Sequence, residues 1–432
     1  MDPLTAALVC IGIMLVMLNA GLPIAFAVGF SSMIVGFIMY GGVALEKLGW
    51  TTFHTVFNTA WTPLPLFTFI GCLIAQTKIG EDLFGAARLW LSRLPGALVV
   101  SSIMGQAGMA AALGASATTI LAIGPVSMPE LERYNYDRKM SMGALTCGGV
   151  LGPLIPPSAT AIIIAGLMNM SLGPLLVAGI IPGILLAIML SMVPIIMSIR
   201  NPALGPPAGV VSWSVRFRSL KRVWPIVLTF SCILGSIFFG IATATEAGGV
   251  GAFIVLVVAV TVYGVRGKAI YDAMIQTVRI NAQIMFILVG AGFFSYIVGS
   301  QVLARQLVEW VTAAGPHPIL VVVMIQILLL ILGCFIDGMT IMMITIPIFT
   351  PLIVSLGHNP LWFAVLYLVN MEMSLITPPM GINFFLVKNV FNISSTDLIK
   401  GVFPYLMVLV VFLFILVAFP KITLWLPGLM IQ

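Results

Sequence analysis

The sequence predicts an all-helical polytopic membrane protein, with ten spans and two re-entrant hairpins arranged as two inverted repeats. Three observations predict it. Of the 432 residues, 61% are hydrophobic and only 7% charged, against about a quarter charged in soluble domains. Apolar runs of roughly 17–25 residues recur along the whole chain, each long enough to cross a hydrocarbon layer about 30 Å thick. A set of prolines, glycines and threonines also returns at a fixed spacing of 222 residues.

Spans are expected near 3–20, 22–41, 62–78, 139–168, 172–198, 224–243, 246–264, 280–298, 361–386 and 401–420. The first, Pro3 to Ala20, has the length of a signal peptide. It lacks a basic leading segment and runs almost directly into the next apolar run, so it reads as a span. Two further apolar stretches, 95–131 and 317–356, are interrupted midway by Gly114-Ala115-Ser116-Ala117-Thr118 and Asp337-Gly338-Met339-Thr340. Each suits a helix–turn–helix that dips in and returns to the same side, a backbone course tolerated at membrane depth only inside protein or beside a cavity. Between the third span of each half and its hairpin lie amphipathic stretches, Gly80 to Leu94 and Gln301 to Ala314, with Trp90 and Trp310. They read as arm helices along the interface, over 79–94 and 301–314, rather than as plain loops.

The basic residues set the orientation. Sixteen of the nineteen Lys and Arg fall in the segments 78–94, 132–139, 199–223, 265–279 and 387–400, leaving Lys47, Arg305 and Lys421 for the other face. Short cytoplasmic loops collect such residues, so both termini are expected outside, the first hairpin entering from the cytoplasm and the second from the opposite face. The net charge of +6 is spread over loops, which excludes the single basic patch of a nucleic-acid binder. Cys10, Cys72, Cys147, Cys232 and Cys334 all lie in apolar segments without a C-x-x-C pair and read as inert thiols.

The repeat aligns Pro156-Pro157 with Pro378-Pro379, Pro125 with Pro347, Pro129 with Pro351, Thr118 with Thr340, Gly29 with Gly251 and Ala25 with Ala247. It divides the chain into a first repeat, 1–198, a cytoplasmic linker, 199–223, and a second repeat, 224–420. With the orientation above, the halves run opposite courses. Inverted repeats with helices broken at matching places point to a transport site near the membrane midplane.

At each break, unsatisfied carbonyl and N–H groups face a hairpin tip. Oxygen-only cages suit a hard monovalent cation such as sodium, and exposed helix N-termini suit a carboxylate. Two ion sites with an anion site between them are expected. The first ion site would use Ser116 at the tip and the main-chain carbonyls of Gly148, Leu151 and Pro153. The 222-residue spacing carries those three to Asn370, Met373 and Leu375, opposite Asp337, Gly338 and Thr340. No Lys or Arg lies at membrane depth to neutralise an anion, so Ser116, Ser158, Thr340, Thr377 and Asn383 are its expected donors. Small and hydroxylated residues also serve helix packing in membranes; the duplication of the pattern favours the functional reading of the region.

Asp337 is the one acid at a hairpin tip, and an ionisable group at that depth is a functional hypothesis by default. It is open to three roles: ion ligand, proton carrier, or a tip residue solvated at the mouth. The spacing puts Ala115 at its first-half counterpart, so the two ion sites are not expected to be equivalent. Glu372 and Glu246 read as structural, capping or bracing. The three histidines lie far apart, and there is no H-E-x-x-H pair and no G-x-x-x-x-G-K-[ST] loop, so an ion gradient rather than ATP is the expected energy source. No titratable cluster supports an enzyme, and no cofactor is expected beyond sodium as the coupling ion.

Five stretches together resemble the large membrane subunit of tripartite ATP-independent periplasmic (TRAP) transporters: Gly114-Ala115-Ser116-Ala117 through Met128-Pro129-Glu130, Gly152-Pro153-Leu154-Ile155-Pro156-Pro157-Ser158, Thr243-Ala244-Thr245-Glu246-Ala247, Asp337-Gly338-Met339-Thr340 through Pro351, and Thr377-Pro378-Pro379-Met380-Gly381-Ile382-Asn383. They span almost the whole chain in the family's order. The resemblance implies an elevator-type carrier of the ion transporter superfamily in a bacterial inner membrane, both termini periplasmic. It also implies sodium-driven uptake of carboxylates such as C4-dicarboxylates, keto acids or sialic acids. The implied partners are a small four-helix membrane subunit, expected as a separate chain, and a periplasmic substrate-binding protein. A stand-alone divalent-anion carrier of the same superfamily shares the hairpin–break architecture and is the competing expectation; a membrane-embedded enzyme or a pure assembly subunit is the third.

Overall fold

The computed structural model describes residues 3–206, 209, 211–298, 300–334, 338–378 and 381–430. Every regular element among them is a helix, as a lipid solvent requires of backbone that must satisfy its own hydrogen bonds.

The chain opens with α1 (Pro3–Asn19) and α2 (Ile24–Tyr40), separated by a turn at Gly21 and Pro23 and closed by Gly41, whose φ is 57°. The segment after α2, between two expected spans, folds as α3 (Val43–Val56), with Trp50, Phe53 and Phe57 exposed near its end. Next, α4 (Pro63–Ile74) starts at a proline, and α3 is bent 46° from the segment Thr59–Ile74 that contains it. Its twelve residues fall short of the expected 62–78, because Thr77 caps the chain back onto Ile74 O at 2.6 Å. The arm, α5 (Ile79–Leu91), follows directly.

A pair of helices comes next, α6 (Ala97–Leu113) and α7 (Ser116–Arg133). Then α8 (Arg138–Gly148), the single turn α9 (Leu151–Leu154) and α10 (Ala159–Leu167) form a rod bent by 49°. The half closes with α11 (Leu172–Ala178) and α12 (Ile180–Arg200).

The expected linker is helical from Trp213: α13 (Trp213–Phe238) takes Arg216, Arg218, Lys221 and Arg222 into its first turns and runs on through Pro225 into the apolar run. Thr243 and Glu246 cap α14 (Ala244–Thr261) reciprocally, the structural role expected of Glu246. Then come α15 (Gly267–Val298), longer than the expected 280–298, and the second arm, α16 (Ser300–Ala314). A second helix pair, α17 (Pro318–Gly333) and α18 (Gly338–Ser355), precedes α19 (Pro360–Ile376), α20 (Ile382–Val390), α21 (Ser395–Ala418) and α22 (Lys421–Leu424). Adding 222 to the bounds of α7 yields those of α18, and α8 starts 222 residues before α19.

Among the described residues, six helices are long and apolar enough to cross a bilayer, or up to eight if each bent pair counts as one span. Ten spans were expected; α1, α2, α6, α17 and α19 are apolar but seventeen residues or shorter. An apolar run continues through caps and turns that end a helix, so run length overstates helix length.

Packing places α19 at the centre. Fourteen of its seventeen residues are buried, as befits a helix apolar all round. Trp362 donates to Leu416 O at 2.8 Å, locking α19 to α21. Tyr405 of α21 in turn donates to Met140 O of α8 at 3.1 Å.

Candidate functional site

The tip of the first helix pair is two residues long. Gly114 closes α6 with φ of 62°, Ala115 is extended and α7 restarts at Ser116. Thr118 and Thr119 both donate to Ala115 O, at 2.9 and 2.8 Å, which holds the turn closed. This tip sits directly on the bent rod. A Cβ on Gly114 would lie 2.5 Å from Pro157 O, one on Gly152 2.8 Å from Ala115 O, and one on Gly149 3.2 Å from Ser116 O. Backbone meets backbone there, and at Gly114 the left-handed φ adds a second reason for glycine.

Around the break, Gly148 ends α8 and Leu151 and Pro153 lie in α9, all buried. Leu151 O already accepts the Ile155 N–H at 2.9 Å, leaving one lone pair. Residues 155–158 are non-helical and include a cis Pro156–Pro157 bond. Ser158 caps α10 by accepting the Ala161 N–H at 3.1 Å, so its hydroxyl hydrogen is what remains to be donated.

In the second half, Asp337 lies outside the described residues. Gly338 starts α18, with the Met371 methyl where its Cβ would point, and Thr340 is fully buried. Thr377 ends α19 in extended conformation, its hydroxyl donating to Met373 O at 2.7 Å. A Cβ on Gly381 would lie 2.8 Å from Leu375 O. Asn370 donates through Nδ2 to both Gln326 O and Gln326 Oε1, each at 2.8 Å, while its own Oδ1 has no donor. Asn383, at the start of α20 and 1% exposed, has no partner for either amide atom. Four helices, α7, α10, α18 and α20, therefore begin at a tip or a break, and helix starts carry partial positive charge.

The two halves also touch. Here α19 packs against α9 and α10, and its Glu372, 3% exposed, has no hydrogen-bond partner at Oε2. Neither this contact nor the glutamines was read from the sequence. Gln106 of α6 fills the space a Cβ on Gly148 would need and reaches Ala144 O at 3.5 Å; Gln326 of α17 serves Asn370, the residue 222 after Gly148. A lone Gln in the first helix of each hairpin was the available signal.

A cavity of about 90 Å³ separates the first tip from α4 and α15, lined by Thr68, Gly71, Ala115, Thr118, Pro157 and Gln276 among others. A larger one, about 320 Å³, lies between the α10–α11 turn and the α13–α14 turn, with Ser171, Thr243 and Thr245 on its wall. The donors around tip, break and smaller cavity are hydroxyls, amides and backbone, a set that solvates small anions and hard cations without fixed positive side chains.

The family described as Tripartite ATP-independent periplasmic transporter, DctM component, matches residues 11–422. The C4-dicarboxylate TRAP transporter large permease protein DctM of Pseudomonas aeruginosa is 29% identical over 393 residues, 90% of this chain and 91% of that one. The sialic acid TRAP transporter large permease protein SiaM of Vibrio cholerae is 27% identical, over 96% of each chain. Among solved structures, the YdaH transporter of Alcanivorax borkumensis superimposes with a TM-score of 0.64 over 89% of this chain and 90% of that one, at 15% identity, a likeness of fold.

Proposed function

The chain belongs to the DctM component family of tripartite ATP-independent periplasmic transporters, and on that premise we propose that it couples sodium entry to uptake of a small carboxylate delivered by a periplasmic substrate-binding protein. It is a multi-pass transporter permease and not an enzyme. Membership implies a periplasmic binding protein and usually a small membrane subunit as partners. The seating of the first hairpin tip on the broken rod, Gly114 against Pro157 and Gly152 against Ala115, carries the reading.

Two oxygen-rich ion sites hold sodium in this reading. One is built on Ser116, Gly148, Leu151 and Pro153, the other on Asp337, Gly338, Thr340, Asn370, Met373 and Leu375. The anion lies between them against Ser116, Ser158, Thr340, Thr377 and Asn383. Bound sodium and the starts of α7, α10, α18 and α20 balance its charge. Asn383 supports the assignment, because a buried amide with no internal partner is ready for a ligand. The relatives named for a C4-dicarboxylate and for sialic acid support a carboxylate as the substrate class. Hairpins and broken helices travel together past α4 and α15 as an elevator, exposing the site to each side in turn, with both termini periplasmic.

Proteoliposomes holding this chain and its small partner are expected to accumulate substrate only with an inward sodium gradient and the binding protein present. Uptake by the chain alone would overturn the tripartite part and favour a stand-alone carrier. Uptake indifferent to sodium would overturn the coupling.

A further inference from the structure

We propose that a glutamine on the first helix of each hairpin sets the amide oxygen of a cation site: Gln106 as a ligand of the first site, Gln326 as the positioning residue that aims Asn370 into the second. The inference rests on the sodium-coupled reading above and deepens it by naming two residues outside its ligand set.

The two halves build the same contact at matching places. Gly148 and Asn370 stand 222 residues apart, one on each broken helix. Gln106 of α6 fills the space that a Cβ on Gly148 would need, and Gln326 of α17 meets Asn370. The next residue of each broken helix faces a tip. A Cβ on Gly149 would lie 3.2 Å from Ser116 O, and the Met371 methyl lies where a Cβ on Gly338 would point. Ser116 and Gly338, the first residues of α7 and α18, are themselves 222 apart. The glutamines are 220 apart, so what the halves share is placement beside the tip and not strict register.

Main-chain carbonyls decide which way each amide points, because a carbonyl oxygen accepts and never donates. Asn370 turns its NH2 to Gln326 O, 2.8 Å away, and the Gln326 side chain brings its Oε1 to the same NH2, also at 2.8 Å. The Asn370 oxygen is left on the far side, buried and without a donor. Holding Asn370 leaves Gln326 Nε2 without an acceptor, so this side chain is committed to orienting its neighbour. In the first half the Ala144 carbonyl takes the Gln106 NH2 at 3.5 Å, and Gln106 Oε1 is likewise buried without a donor.

An amide that served only to join helices would use both its ends. Each of these keeps its oxygen back, at the desolvation cost of an unpaired acceptor. A hard monovalent cation at the adjoining unwound turn removes that cost, since neutral oxygens are the ligands it takes there. The halves reach the same end by opposite routes. Glycine at 148 lets Gln106 bring the oxygen from the hairpin, whereas Asn370 brings it from the broken helix and Gln326 holds it in place.

The test uses the full complex, purified for sodium-dependent thermal protection and reconstituted in proteoliposomes for sodium-dependent uptake, as wild type, Gln106→Leu and Gln326→Leu. Loss of the ligand in Gln106→Leu is expected to raise the half-saturating sodium concentration roughly tenfold in both measurements. Loss of the positioning residue in Gln326→Leu should raise it roughly threefold, because the main-chain bond to Asn370 remains. Substrate affinity at saturating sodium should stay near wild type. Without sodium, Gln106→Leu should melt at or above wild type, as the unpaired acceptor is gone. A residue that only joined helices would melt lower there and leave the sodium midpoint unmoved. A wild-type sodium midpoint in either variant overturns the role proposed for that glutamine. If the leucine variants do not assemble, Gln106→Asn and Gln326→Asn, which keep the amide and draw it back by one methylene, decide: a raised midpoint supports the assignment and an unchanged one overturns it. Absence of any sodium protection in the wild type overturns the sodium-coupled reading itself, whereas protection that the variants leave intact overturns only this proposal.

Discussion

Gly152 and Ala115 meet backbone to backbone: a Cβ on Gly152 would lie 2.8 Å from both the carbonyl carbon and the carbonyl oxygen of Ala115. Through this contact the hairpin tip and the broken rod behave as one body, with no side chain between them to yield.

Gly152→Ala should therefore separate tip from break. Overpacking at a site flanked by backbone costs about 1–3 kcal/mol, so the melting temperature in detergent falls. Uptake is expected to drop roughly tenfold, the equivalent of about 1.4 kcal/mol taken from the productive arrangement. Wild-type stability and uptake in this variant would mean that the tip and break do not touch in the working protein.

Asn383→Leu separates stability from function. An unpaired buried amide costs about 1–3 kcal/mol, and leucine of similar size removes that cost. The ligand-free variant should melt higher than wild type and fail to transport. A variant that transports normally would remove Asn383 from the substrate site.

The first arm is tied to the hairpin by Arg88, which pairs with Glu130 at 2.5 Å and donates to the Tyr134 hydroxyl at 3.1 Å. Both charged side chains are about a quarter exposed, 29% and 26%. A double-mutant cycle of Arg88→Ala and Glu130→Gln should return a coupling of about 0.5–1 kcal/mol, smaller at high salt. Strict additivity would show the arm and hairpin to be energetically independent.

Asp82 of the same arm accepts from the Tyr263 hydroxyl at 3.3 Å. Burial holds its carboxyl above the ordinary range, with the Tyr263 bond and the Arg222 charge offsetting part of the effect. Burial and the neighbouring carboxylate push the Tyr263 phenol up to about 12. The folded protein thus holds the Asp82 proton more tightly than the unfolded chain does. That contribution to stability is complete below the ordinary carboxylate pKa and is lost as pH rises through the raised value. Asp82→Asn should melt above wild type at neutral pH, by less than about 1 kcal/mol given its partial exposure. The two curves should converge near pH ~4. A gap that widens on acidification would reverse the sign and refute the assignment.

How much of this was legible beforehand follows from the range of the forces involved. Lipid as solvent, the tip at 114–116, the breaks at Pro156-Pro157 and Pro378, and the 222-residue spacing are local or compositional, written in runs of apolar residues and in where proline and glycine fall. Helix ends were less legible: α4 stops at Ile74 and α13 begins at Trp213, because capping and continuation are settled by single hydrogen bonds that run length does not register. What only the tertiary structure decided lies between residues far apart in the chain. Met140 and Tyr405, 265 positions apart, are joined by a hydrogen bond that nothing in the sequence pairs. Packing of α19 at the centre, buried on nearly every side, brought it against α9 and α10 of the other half. It also set Gln326 on Asn370 and Gln106 on Gly148. The two halves share one design in sequence, but which parts of one half meet the other was decided only by the folded packing, because such contacts join residues that no local pattern relates.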